Sequence, residues 1–177
     1  MSVRPWNTAA NGALIAGDYR YLLWRRWSTS RRICNFVMLN PSTADETEND
    51  PTIRRCMAFA KSWGYGVLVV TNLFAHRATE PKDMLAASDP VGPENGSIVD
   101  EVMDYATHND GLIVAAWGNK GSHMDQAEWF KGRAEMMDAP VRCFEISKKG
   151  QPKHPLYQPS DKELIWYSKP TDYQYRP

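Results

Sequence analysis

Four short apolar runs punctuate the chain. Residues 33–39 (ICNFVML, broken only by Asn35), 67–73 (VLVVTNL), 111–117 (GLIVAAW) and 141–146 (VRCFEI) have the length and continuous apolarity of strands buried on both faces. Helical patterns separate them. Asp50-Pro51 offers an N-cap followed by a proline at the first helical position, and Ile53, Met57 and Ala60 recur at core spacing until Gly64. After a polar stretch with Pro81, Pro90 and Pro93, one amphipathic helix is predicted over residues 94–107 and another over 122–137. This alternation predicts an α/β fold: a single-domain, three-layer α/β/α arrangement around a central, mostly parallel four-stranded sheet. Residues 18–28 (DYRYLLWRRWS) read as a strand or hairpin ahead of the core, and residues 148–159 as a loop. The aromatic tail beyond it shows no readable period.

A length of 177 residues fits one domain. Its core spans 33–159, flanked by an Arg/Trp-rich ribbon at 18–32 and a tail at 160–177. The hydrophobic fraction of 42% and charged fraction of 24% are those of a soluble globular chain. No apolar run approaches the roughly 20 residues that span a bilayer, and no signal-peptide pattern opens the sequence, so no membrane partner is expected. Cys34, Cys56 and Cys143 are scattered and include no Cys-x-x-Cys pair, which argues against a disulfide framework or a cysteine-rich zinc site and fits the cytoplasm. His76, His108 and His123 have no metal-type spacing with His154, and no nucleotide-binding glycine signature is present. The expectation is therefore no metal and no cofactor, and a monomer is expected.

Lys plus Arg equals Asp plus Glu at 21 each, so net charge alone draws the chain to no partner. The distribution is uneven. Residues 20–32 hold Arg20, Arg25, Arg26, Arg31 and Arg32 with no acid, and residues 45–50 (DETEND) hold four acids with no base. The ribbon suits either a solvated strand face or a strand that stacks on nucleic acid. DETEND suits a solvated loop, or less readily the acidic site of a metal-dependent nuclease.

In open parallel sheets, ligands bind beyond the carboxyl ends of the strands. Those ends carry Asn40-Pro41-Ser42, Asn72-Leu73 and Trp117-Gly118-Asn119, and the loop after the last strand carries Lys153-His154-Pro155. Each taken singly has a plain structural reading: a strand stop at Asn40, a turn former at Asn72, a surface histidine, a core tryptophan. Taken together they describe a pocket rich in amides, suited to reading a planar heterocycle by its edge.

In this order the segments Met38-Leu39-Asn40-Pro41-Ser42, Val69-Val70-Thr71-Asn72, Ala115-Ala116-Trp117-Gly118 and His154-Pro155-Leu156-Tyr157 resemble the motifs of the uracil-DNA glycosylase superfamily. The first is similar to the Asn-Pro version of the mismatch-specific and single-strand-selective branches. The chain departs from the superfamily in lacking a glycine before that motif and in reading Leu-Tyr after His154-Pro155. LNPSTAD, NDPTIRRC, VVTNLFAHRAT and DPVGPEN are also similar to a prokaryotic and phage family carried only as a domain of unknown function. The resemblance implies a uracil-DNA-glycosylase-like fold with Asn40 positioning a water, Asn72 reading the base and His154 donating to the departing base oxygen. Asp45, the nearest carboxylate after Asn40, is a candidate water activator, and Trp117 or Tyr157 a candidate stacking partner for a flipped base. Ser42, Thr43, Arg54, Arg55 and Lys153 are candidates for holding DNA phosphate.

The expected activity is a metal-independent DNA glycosylase-like hydrolase. It cleaves the N-glycosidic bond of a modified base, such as a hypermodified phage base, and leaves an abasic site. Phage defence or phage DNA processing is the expected setting. The alternatives are an N-glycosidase for free modified nucleotides and a non-catalytic reader of modified bases.

Overall fold

The computed structural model describes residues 4–171. A seven-stranded sheet runs through it: β1 (Asn11–Ala16), β2 (Tyr19–Arg26), β3 (Ile33–Met38), β4 (Val67–Asn72), β5 (Leu112–Ala115), β6 (Val141–Cys143) and β7 (Ile165–Ser168). Its order is β1-β2-β4-β3-β5-β6-β7. The four apolar runs form the parallel centre, β4-β3-β5-β6. The expected count of four strands is too low, because three antiparallel strands extend the sheet on both sides. The hairpin β1–β2 joins the edge of β4, and β7, drawn from the aromatic tail, joins β6. A tail strand of four residues is too short to show a period, and its partner lies some twenty residues away. The remainder of the tail, residues 172–177, lies outside the described residues.

Helices α1 (Pro51–Ser62), α2 (Pro81–Leu85), α3 (Asn95–His108) and α4 (Gln126–Met136) complete the fold. Side chains of a strand alternate between faces, and β3 divides accordingly. Cys34, Phe36 and Met38 pack with Ile53, Cys56 and Phe59 of α1, whereas Ile33 and Val37 pack with Val99, Val102 and Met103 of α3 and Phe130 of α4. The sheet is thus the middle of three layers. Asp50 caps α1 as the sequence predicts: its Oδ1 accepts from Ile53 N at 2.8 Å, with Pro51 in the first turn. The last predicted helix starts late, since residues 119–125 wind as a 3-10 turn and Met124 and Asp125 take left-handed φ values of 51° and 55°. Gly121 of that turn lies so close to Trp117 that a Cβ there would sit 2.0 Å from the indole. None of the helices among the described residues is long and apolar enough to cross a membrane.

Where it forms β2, the Arg/Trp ribbon is neither a solvated face nor a free strand for nucleic acid. Tyr21, Leu22, Leu23, Trp24, Arg20 and Arg25 are buried in β2. Arg25 donates to Asn49 Oδ1 and to the carbonyls of Gly12, Trp24, Asp45 and Glu48. The ribbon and the DETEND segment, at opposite extremes of charge, are two halves of one contact. It is made mainly through backbone carbonyls, while Glu46 and Glu48 stay exposed.

Candidate functional site

A cavity of about 420 Å³ opens at the carboxyl edge of the parallel strands. It lies where the connections diverge: β3 is flanked by β4 and β5, both later in the chain, so the loops leaving β3 and β5 part and leave a crevice. Asn40, Ser42, Asn72, Trp117 and His154 line it, together with Arg20, Asp50 and Lys120. Four segments far apart in sequence therefore meet at one edge.

Asn72 is the deepest amide. It ends β4 in parallel register with Met38, on the face that Val70 and Leu68 present to α1. It is 1% exposed, and neither its Nδ2 nor its Oδ1 has a partner among the described residues. Its backbone is held firmly: the fully buried Asn95, in the first turn of α3, donates from Nδ2 to the carbonyls of Asn72 (2.9 Å) and Leu73 (3.1 Å). The fold thus fixes the main chain of Asn72 while leaving its side-chain amide uncommitted.

Asn40 is oriented by its own amide. Nδ2 donates to Pro41 O at 3.0 Å and Ala78 O at 2.9 Å, which leaves Oδ1 as its acceptor for a group in the cavity. The segment 145–153 folds back on itself through Ser147 N to Gln151 O and Lys153 N to Glu145 O, and is pinned to the end of β5. Gly118, at φ 78°, donates to Pro152 O, and Trp117 Nε1 donates to Gln151 Oε1 at 2.8 Å. These contacts deliver His154 to the cavity. The backbone N–H of Leu156 donates to His154 Nδ1 at 3.2 Å, so Nδ1 carries no proton and the neutral ring bears its proton on Nε2. Burial holds the His154 pKa below the ordinary histidine value, with the Asp50 carboxylate opposing that shift. The ring is a neutral Nε2–H donor.

The other sequence candidates divide. Ser42 lines the cavity. Trp117 does too, but it is 2% exposed and packed edge-on against Phe130 and Tyr167, so it is wall rather than stacking platform. Tyr157, 83% exposed, stands outside. Asp45 does not reach the cavity: its Oδ1 accepts from Thr47 N and Glu48 N and closes its own loop, and these bonds lower its pKa. The carboxylate in the wall is Asp50, which the sequence shows only as a helix cap. Thr43 is exposed and off the cavity. The other phosphate candidates are engaged elsewhere. Arg54 donates to Asn49 O, Arg55 to Gln158 O and Ser160 Oγ, and Lys153 pairs with Glu145 at 2.7 Å.

Three participants escape a sequence reading. Arg20 hides in the ribbon, Asn95 in a helix start, and Lys120 in a polar turn. Asp50 alone carried a signal, since the N-terminus of a helix that follows a parallel strand faces the carboxyl edge of the sheet.

No curated protein and no solved structure matches the chain. A family model described as "Protein of unknown function (DUF1643)" matches residues 20–156. That span takes in every residue lining the cavity, from Arg20 to His154. The chain belongs to the DUF1643 family.

Proposed function

We propose that this protein hydrolyses the N-glycosidic bond of a modified base in DNA, such as a hypermodified phage base, and leaves an abasic site. Asn72 carries the reading. An uncommitted, buried amide sets a donor beside an acceptor, the complement of the edge of a nucleobase. In the reaction a water adds to C1′ while the C1′–N bond breaks and its electron pair leaves with the base. Asn40 Oδ1 accepts a hydrogen bond from that water and orients it. Asp50 is the nearby carboxylate to take its proton, in place of Asp45. His154 Nε2–H donates to the base oxygen where negative charge builds up, and removing a donor of this kind lowers rates roughly 10²–10³-fold. The resemblance of the four motifs to the uracil-DNA glycosylase superfamily supports the same assignment. Restriction or processing of modified phage DNA is the setting we propose.

One observation favours a second reading, an N-glycosidase for free modified nucleotides. Arg54, Arg55 and Lys153 are occupied by protein groups, so the basic track that a duplex needs is thin. The test covers both. The protein is incubated in EDTA with unmodified, uracil-containing, hydroxymethylated and glucosylated DNA and with the matching free mononucleotides, and released base and abasic sites are read by mass spectrometry. Release from one substrate, lost in folded Asn40→Ala and His154→Ala, is expected. Full activity in both variants rejects the assigned roles. Binding without release over long incubation identifies a reader instead.

A further inference from the structure

Strand β2 carries two arginines of equal burial and unequal satisfaction. Arg20 and Arg25 are each 2% exposed. Arg25 donates five hydrogen bonds and stays outside the cavity. Arg20 lines the cavity and donates from its side chain only once among the described residues, from Nη1 to Ala44 O at 2.6 Å; its buried Nε has no partner. A guanidinium has five N–H donors in a rigid fork, and keeping one charged and buried is unfavourable unless those donors are matched. No carboxylate lies within ion-pair distance of it among the described residues. Burial pushes its pKa down to about 10, so it remains a cation at neutral pH, and Asp50 and Asp45 oppose that shift only through space. Lys120 at the cavity wall adds a second positive charge. The scaffold offers the side chain of this cation one acceptor and no ion pair among the described residues, whereas Arg25 on the same strand is met by five acceptors.

We propose that Arg20 is a specificity-determining residue that binds an oxyanion of the substrate, a carboxylate or phosphate whose oxygens accept from the N–H groups the scaffold leaves unmatched. This rests on the cavity being the substrate site, and it deepens the preceding reading by naming the class of base or nucleotide accepted. Two sources supply the same chemistry: an acidic substituent on the base, or the phosphate of a mononucleotide. The planar fork, rather than charge alone, makes the contact, so lysine is a poor substitute.

The test is equilibrium binding, independent of bond cleavage. Wild-type protein is titrated by calorimetry with uracil against 5-carboxyuracil, and with deoxyuridine against deoxyuridine 5′-monophosphate. The expected result is that the charged member of one pair binds about 10- to 100-fold more tightly, as one charge-assisted contact implies. Arg20→Lys and Arg20→Met bring that pair to near parity. The favoured pair tells which source supplies the oxyanion. Equal affinity within both pairs for the wild-type protein overturns the proposal, and that measurement needs no variant to fold. An anion preference that survives in folded Arg20→Met overturns it equally. Anion-selective binding with no base release leaves Arg20 in this role and removes the glycosylase reading; base release indifferent to both groups does the reverse.

Discussion

Valine at position 72 separates what the buried amide does for the ligand from what it does for the fold. Asn72 is 1% exposed, and both of its polar atoms lack a partner among the described residues. Burying an amide with no compensating bond costs roughly 1–3 kcal/mol. Valine is one heavy atom smaller than asparagine, so it fits without overpacking, and it is favoured at the end of a strand that already reads VLVVT. Asn72→Val therefore raises stability by about 1–3 kcal/mol, which for a domain of this size raises Tm by roughly 2–12 °C. Asn95 supplies the control. It is buried as deeply and its Oδ1 likewise lacks a partner among the described residues, but its Nδ2 serves two strand-end carbonyls, so Asn95→Val strands both carbonyls and lowers stability by about 1–3 kcal/mol. The same substitution thus has opposite signs at two asparagines packed against each other. Urea denaturation, with unchanged slope as the check on two-state behaviour, gives the stabilities. Calorimetric titration with free base gives binding, which Asn72→Val abolishes. An Asn72→Val protein no more stable than wild type refutes the unmet amide, and one that still binds base refutes its role as base reader.

Three further outcomes are expected. Arg25→Lys loses the fork that gathers the DETEND loop and lowers stability by about 2–4 kcal/mol, read by urea denaturation; a change under about 0.5 kcal/mol removes Arg25 as the anchor of that loop. Asp50→Asn keeps the helix cap and so shifts stability by only a few tenths of a kcal/mol, yet it removes the charge that supports protonation of His154. The His154 pKa then falls further, as followed by NMR titration, and a rise contradicts a supporting field from the Asp50 carboxylate. Burial holds His154 below the ordinary value of about 6.5, so the unfolded chain binds this proton first as pH falls. Its contribution is complete above that value and is lost as pH drops through the folded-state pKa. His154→Gln flattens this part of the stability–pH curve, and identical slopes in the two proteins exclude the linkage.

Much of this was legible in one dimension, for a local reason. Buried parallel strands are continuous apolar runs, so residues 33–38, 67–72, 112–115 and 141–143 announce themselves. Once their direction is known, the residues ending them must share an edge, which is why Asn40, Asn72, Trp117 and His154 are legible as a group. Asp50-Pro51 likewise fixes the start of α1 by backbone chemistry alone. Tertiary structure decided what depends on partners distant in sequence. Arginines at 20 and 25 look alike in a basic ribbon; only the loop at 44–49 folding over β2 buries both, and only the geometry of its carbonyls satisfies one and leaves the other open. Of two aspartates after Asn40, 45 is the nearer in sequence, yet it spends its oxygen on its own loop, whereas 50 caps a helix aimed at the cavity. Residue type and period report what a side chain tolerates. Whether its hydrogen bonds are spent on the scaffold or kept for a ligand is settled only when the chain closes on itself.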